Sequence, residues 1–199
     1  MVFKALTEEQ IQEAVAVLKR GGVVVFPTET AYGLAADARN TEAVERVFQI
    51  KGRQGDKSLP LIAADRGMIE RVAGIPSGLV RFADEHWPGP LTLVLPVVGD
   101  ALAPGVMKHG EIAIRVSSHP VATALSHGLG APIVSTSANR SGEKPCYSLK
   151  EVQDQFQHQD VRPDVYLDGG ELTPGLPSTI VSVDDYGYPE ILRQGVIEL

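Results

Sequence analysis

The sequence predicts an α/β fold, a mixed sheet layered with helices in one domain spanning residues 1–199. Short apolar runs of strand length alternate with segments whose apolar residues recur at helical spacing, the pattern of a sheet covered by helices. The last apolar runs lie close together in the chain, which predicts antiparallel pairing there and hence a mixed sheet. No linker, internal repeat or low-complexity tract divides the chain.

Thr7-Glu8-Glu9-Gln10 is a capping-box pattern ahead of Ile11, Ala14, Val15 and Leu18, which share one helical face. Gly21-Gly22 stops that helix, and Val23 to Phe26 is a continuous apolar run suited to a strand buried on both faces. Thr41 opens a second helix, with Val44, Val47 and Phe48 inward, that runs to about Lys51. Leu59 to Ala64 is a further strand. Weaker helices follow around Met68 to Val72 and Leu79 to Trp87, ended by the Trp87-Pro88-Gly89-Pro90 corner. Leu91 to Val98 and Ile112 to Val116 read as strands, His119 to Leu129 as a helix, and Pro132 to Ser135 as a strand. Ser148 to Phe156 is a short surface helix, and Val165 to Leu167, Thr179 to Val183 and Glu190 to Leu192 are the final strands.

Composition narrows the function. The chain is 43% hydrophobic and 22% charged, with a net charge of −7, which argues against binding nucleic acid through a broadly basic surface. The charge is uneven: six basic residues lie between Arg46 and Arg71 against Asp56, Asp65 and Glu70. Such an island suits a small anionic ligand. One cysteine, Cys146, excludes an intrachain disulfide and a multi-cysteine zinc site, and nothing around it signals an activated thiolate. Met1 to Arg20 has the features of neither a signal peptide nor a membrane span, so a soluble, cytoplasmic protein is expected.

There is no P-loop, Rossmann glycine pattern, His-Glu-x-x-His, Gly-x-Ser-x-Gly or kinase catalytic loop. His119, at a helix start beside Pro120, reads as a capping or packing residue. Four other stretches are richer. Phe26 to Gly33 places two threonines and a tyrosine at a strand's carboxyl end, where ligands gather in open sheets, although the threonines also suit an ordinary turn. Lys51-Gly52-Arg53 ends a helix. The helix dipole accounts for Lys51, whereas Arg53 with Lys57 nearby makes a polyphosphate clamp. Ser135-Thr136-Ser137-Ala138-Asn139 supplies hydroxyls, an amide and freed backbone N–H groups after a buried strand, an anion-binding arrangement. Arg115, inside an apolar strand, needs an anionic partner, either a ligand or Glu111 four residues away on the same face.

Taken in order, these stretches resemble the YrdC-like family of threonylcarbamoyl-AMP synthases. The matching features are Pro27 to Leu34, Lys51-x-Arg53, Trp87 to Thr92, Arg115-Val116, Ser135 to Asn139 with Ser141-Gly142, Pro177-Ser178-Thr179 and Arg193-Gln194-Gly195. The resemblance implies a twisted sheet with a deep, positively lined cavity. It also implies that L-threonine, bicarbonate and ATP are converted to threonylcarbamoyl-AMP and pyrophosphate. Lys51 and Arg53 are the implied catalytic residues. Together with Ser135, Ser137, Asn139 and Arg193 they bind ATP, while Thr30, Arg115 and Ser178 bind threonine. Mg²⁺ is expected with ATP, with no all-protein metal site. Partner proteins of the tRNA threonylcarbamoyl transfer machinery are implied, with contact to tRNA or double-stranded RNA and none to membrane. The chain departs from the family at Gln54, where many members have proline, and at Ile62-Ala63-Ala64, where longer members place a histidine. The short, catalytic-domain-only form, without the extra C-terminal domain of those longer members, is expected. The alternative function is a double-stranded RNA or tRNA-binding module without synthase activity, which the acidic net charge disfavours. The related carbamoyl-transfer domain of hydrogenase-maturation proteins is accompanied by zinc-finger cysteines that are missing here.

Overall fold

The computed structural model describes residues 5–52 and 58–199. Helix α1 (Glu8–Lys19) starts at the expected capping box, where the Thr7 hydroxyl accepts from Gln10 N and the Gln10 side chain accepts from Thr7 N. Strands β1 (Val24–Pro27) and β2 (Tyr32–Ala35) form an antiparallel pair. Helix α2 (Thr41–Lys51) is capped by Asn40 and ends at Gly52 in the left-handed region, at φ 60°. Next come β3 (Leu61–Ala63), α3 (Arg66–Glu70), α4 (Ser77–His86), β4 (Leu91–Pro96) and β5 (Glu111–Val116). A 3-10 turn at Pro104–Val106 lies between the last two. The chain continues through α5 (Pro120–Leu129), β6 (Ile133–Val134), β7 (Thr136–Ser137) and α6 (Leu149–Phe156). It ends with β8 (Val165–Tyr166), β9 (Thr179–Val183) and β10 (Pro189–Arg193).

The strands divide between two sheets where one was expected. A four-stranded sheet has the order β7-β2-β1-β8, and a six-stranded sheet has the order β10-β9-β4-β5-β3-β6. Each is mixed, since β1 pairs parallel with β8, and β4 pairs antiparallel with β5 but parallel with β9. The chain passes from one sheet to the other within a few residues. It leaves the six-stranded sheet at β6, passes Ser135 and enters the four-stranded sheet at β7. Residues 167–178 then carry it back from β8 to β9.

Strand β1 is buried along its whole length, as its unbroken apolar run predicts. Val24 and Phe26 face α1 and α5, joining Val15, Leu18, Val121 and Leu125 in one cluster, while Val25 joins the larger cluster with Val44, Val47 and Ile50 of α2. Burying each such large side chain stabilises the fold by roughly 1.5–3 kcal/mol. Helices α1 and α5 lie so close that a Cβ on Gly128 would sit 2.8 Å from Val15.

The six-stranded sheet follows the two-residue alternation of strands. Leu91, Leu93, Leu95, Ile112 and Ile114 enter the larger core. Their neighbours Thr92, Val94, Ala113 and Arg115 face the other way and line a cavity. Among the described residues, no helix is long and apolar enough to cross a membrane.

Candidate active site

Residues from both sheets line one cavity of about 660 Å³. The four-stranded sheet contributes Tyr32 and Gly33 of β2 and Thr136 and Ser137 of β7. The six-stranded sheet contributes Thr92, Ala113, Arg115, Ile180 and Arg193 from four strands. The described lining residues include the cations Lys108, Arg115 and Arg193 and no carboxylate. A wall of hydroxyls and cations, set partly in apolar surface, is a site for an anionic ligand.

The Thr28-to-Ala31 turn makes the connection between β1 and β2 and divides its two threonines between structure and site. The Thr28 hydroxyl donates to Ala31 O at 2.7 Å and accepts from Thr30 N and Ala31 N, each at 3.2 Å. The Thr30 hydroxyl lies 3.0 Å from that of Thr28, and Thr30 stands on the cavity wall. Tyr32 ties a further loop to this sheet, donating its phenol proton to Gly170 O at 2.7 Å and accepting from Gly169 N at 3.0 Å. Burial pushes its phenol up to about 12, so Tyr32 stays a neutral hydrogen-bonding post.

Arg115 is buried, and its partner is Glu29 in that same turn, not Glu111. Its Nε donates to Glu29 Oε1 at 3.0 Å. Glu111 stands four residues back on the same strand, but Glu29 is delivered from the other sheet directly against the guanidinium. The second carboxylate oxygen of Glu29 accepts from Ser117 Oγ.

Ser178 and Arg193, expected at different ligands, touch each other. Arg193 grips Ser178 O through Nε at 3.1 Å and Nη2 at 2.7 Å, and Nη2 also reaches Ser178 Oγ at 3.0 Å. Thr92 Oγ1 lies 2.9 Å from Ser178 Oγ. Burial, reinforced by the nearby Arg115 cation, lowers the pKa of Arg193. An anion held between the two guanidiniums relieves that repulsion.

Ser135 and Ser137 lie on the cavity wall as the sequence suggests, whereas Lys51 and Asn139 are not among its lining residues. The Lys51 ammonium is buried and donates to Ser137 O at 2.6 Å and Asn139 O at 2.9 Å. Its long side chain thus reaches the turn from the side of α2. The Asn139 amide donates to Arg140 O at 2.9 Å and Glu143 O at 2.7 Å, closing its own loop. Arg53 and Gln54 lie outside the described residues.

Lys108 is a wall residue that the sequence did not single out, and Thr92, matched only as the end of the Trp87-to-Thr92 stretch, was given no role at the site. The alternation Leu91-Thr92-Leu93-Val94 marks Thr92 as facing away from the core, a signal that could have found it. Lys108 carries no comparable signal. His119 caps α5, its Nδ1 accepting from Val121 N at 3.2 Å, and Cys146 is buried with its thiol pushed up to about 11 by burial. Both match the structural roles expected of them.

The family model for Sua5, YciO and YrdC, described as telomere recombination, matches residues 16–195. A threonylcarbamoyl-AMP synthase of Bacillus subtilis is 40% identical over 192 residues, covering 96% of this chain and 54% of the relative. One from Vibrio vulnificus is 39% identical over 188 residues, covering 93% of this chain and 98% of the relative. The crystal structure of Pyrococcus abyssi Sua5 complexed with L-threonine superposes with a TM-score of 0.88 at 34% identity, covering 96% of this chain and 56% of that one. The chain therefore spans about half the length of the Bacillus and Pyrococcus relatives.

Proposed function

The chain belongs to the Sua5, YciO and YrdC family, and on that premise we propose that it is a threonylcarbamoyl-AMP synthase whose whole reaction runs in this one domain, residues 1–199. The observation that carries this is the single cavity in which Thr30, Arg115 and Ser178 meet Ser135, Ser137 and Arg193. These residues come from distant parts of the chain, and their chemistry suits an amino acid and a nucleotide side by side. The names of the Bacillus and Vibrio relatives, and the L-threonine bound by the Pyrococcus protein, support the synthase over an RNA-binding module.

Threonine's carboxylate pairs with the Arg115 guanidinium, while Thr30 and Ser178 hold its remaining polar groups. Its neutral amine attacks the carbon of bicarbonate, forming a C–N bond and releasing water to leave a carbamate. A carbamate oxygen then attacks the α-phosphorus of ATP, the bond to the β-phosphate oxygen breaks, and pyrophosphate departs. Such a displacement needs alignment and charge stabilisation and no covalent nucleophile. Arg53 and Arg193 neutralise the phosphates, and Lys51 adds positive potential from beneath the turn. Ser135 and Ser137 donate to phosphate and ribose oxygens. Asn139 supports the nucleotide side of the site from behind the wall, its amide closing the loop that follows Ser137.

Mg²⁺ fits as a companion of ATP. The described wall offers hydroxyls and no carboxylate, so phosphates and water would carry the ion there. When bound, it spreads the charge on the leaving pyrophosphate. Delivery of the product to partner proteins that modify tRNA, in the cytoplasm, completes the proposal. The test is pyrophosphate release from ATP with L-threonine and bicarbonate supplied or withheld. Release that needs both supports the assignment, and release indifferent to threonine removes it.

A further inference from the structure

Glu29 lies between the turn residue Thr28 and the wall residue Thr30, yet it is not itself among the lining residues. Its side chain is 11% exposed, and that of Arg115 is 7% exposed. Each carboxylate oxygen has its own partner, Arg115 Nε on one and Ser117 Oγ on the other. Arg115 and Ser117 are two residues apart, so they present to the same side of the chain. Ser117 Oγ is itself fixed, accepting from His119 N at 3.1 Å, where the chain turns into α5. The carboxylate is therefore clamped between a strand and a helix start.

A buried ion pair is a poor device for stability alone, because desolvation offsets much of the attraction. Orientation is another matter. A guanidinium offers a rigid, planar set of donors, and whichever edge is occupied decides where the others point. Glu29 occupies Nε, and among the described residues the terminal nitrogens of Arg115 make no hydrogen bond. Arg115 also lies on the cavity wall, so those nitrogens are left for a ligand.

We infer that Glu29 is a positioning residue: it holds Arg115 by Nε so that the terminal N–H pair addresses the carboxylate of the amino-acid substrate. The same clamp fixes the adjoining Thr30. This rests on the proposed function, because it needs an amino-acid carboxylate at Arg115.

The test combines kinetics with direct L-threonine titration, in the wild-type protein and in an Arg115→Lys background. Glu29→Ala frees the guanidinium and is expected to raise KM for L-threonine on the order of 10–100-fold, the scale of a misaligned contact. KM for ATP should move less than about twofold against that scale. Glu29→Gln keeps an acceptor for Nε and is expected to recover most of the loss. In the Arg115→Lys background, where no fork remains to be aimed, Glu29→Ala should add almost nothing. An equal penalty in both backgrounds, or equal damage to ATP and threonine, overturns the inference.

If Glu29→Ala does not fold, Ser117→Ala loosens the clamp from its other end. It should raise KM for L-threonine severalfold at unchanged KM for ATP, and an unchanged KM for threonine overturns the inference equally. Wild-type protein that binds no L-threonine defeats the proposed function itself. Wild-type binding with indifferent Glu29 variants defeats only the role of Glu29.

Discussion

Gly195→Ala is the sharpest small perturbation of the cavity wall. A Cβ at this position would lie 2.2 Å from Pro177 O and 2.5 Å from both Ser178 C and Thr179 N. All three are backbone atoms, so nothing can swing aside. The segment is also tightly held: Thr179 Oγ1 accepts from Gly195 N and Ile197 N, each at 3.1 Å, and donates to Ile197 O at 2.8 Å. Val196 N donates to Pro177 O at 3.0 Å. Without a clash, Gly→Ala would stabilise by about 0.4–1 kcal/mol through the unfolded chain. Forcing a methyl group into packed backbone costs about 1–3 kcal/mol, and each hydrogen bond lost adds about 1 kcal/mol. The net is a destabilisation of roughly 1–3 kcal/mol, which lowers Tm by about 2–12 °C in a protein of this size. Because Arg193 grips Ser178 across the same contact, KM should rise for both ATP and L-threonine. Thermal unfolding followed by circular dichroism, with steady-state pyrophosphate release, measures both effects. A Tm equal to or above wild type would show that the segment has room, and the close packing inferred at Gly195 would be wrong.

Three further changes probe other parts of the account. Lys51→Met removes a charged donor from two carbonyls and should cost on the order of 3 kcal/mol in denaturant unfolding, given about 1.5–3 kcal/mol for each such bond; wild-type stability would contradict the pinning role. Arg53→Ala should lower pyrophosphate release by about 10²–10³-fold, the cost of losing one transition-state charge contact; full activity would remove Arg53 from the mechanism. Burial lowers the His119 imidazole from its ordinary 6.5 to about 4. Between those values the unfolded chain holds the proton that the folded one refuses, so stability is fully present above about pH 6.5 and is lost as pH falls toward 4. His119→Asn should flatten that limb of the stability profile relative to wild type, and an unchanged slope would exclude His119 as its source.

Local signals were the readable part of the fold. The Thr7 capping box, the apolar run of β1 and the helix ending at Lys51 are encoded by adjacent residues and appear where expected. Strand β2 was not legible, because Tyr32-Gly33-Leu34-Ala35 lacks β-branched residues and is held extended by pairing with β1 and β7. The division into two sheets was hidden for a similar reason: β6 and β7 are two residues each and separated only by Ser135. Sheet membership is decided by partners elsewhere in the chain, not by local pattern.

The site shows the same split. Arg115 announced itself as a charge in an apolar strand, but Glu111 in register was the visible partner, and Glu29, 86 residues away, was not. Lys51 was readable as a helix-end cation. Its burial beneath the turn at Ser137 to Asn139 depends on how α2 packs, which no spacing encodes.

If one cavity joins threonine, bicarbonate and ATP, the carbon of bicarbonate must end up in the adenylate. Mass spectrometry of reactions run with ¹³C-bicarbonate tests it most directly. The expected product is a threonylcarbamoyl-adenylate that carries the label, formed in step with pyrophosphate and only when L-threonine is present. Pyrophosphate released without a labelled adenylate, or an adenylate that lacks the label, would contradict it.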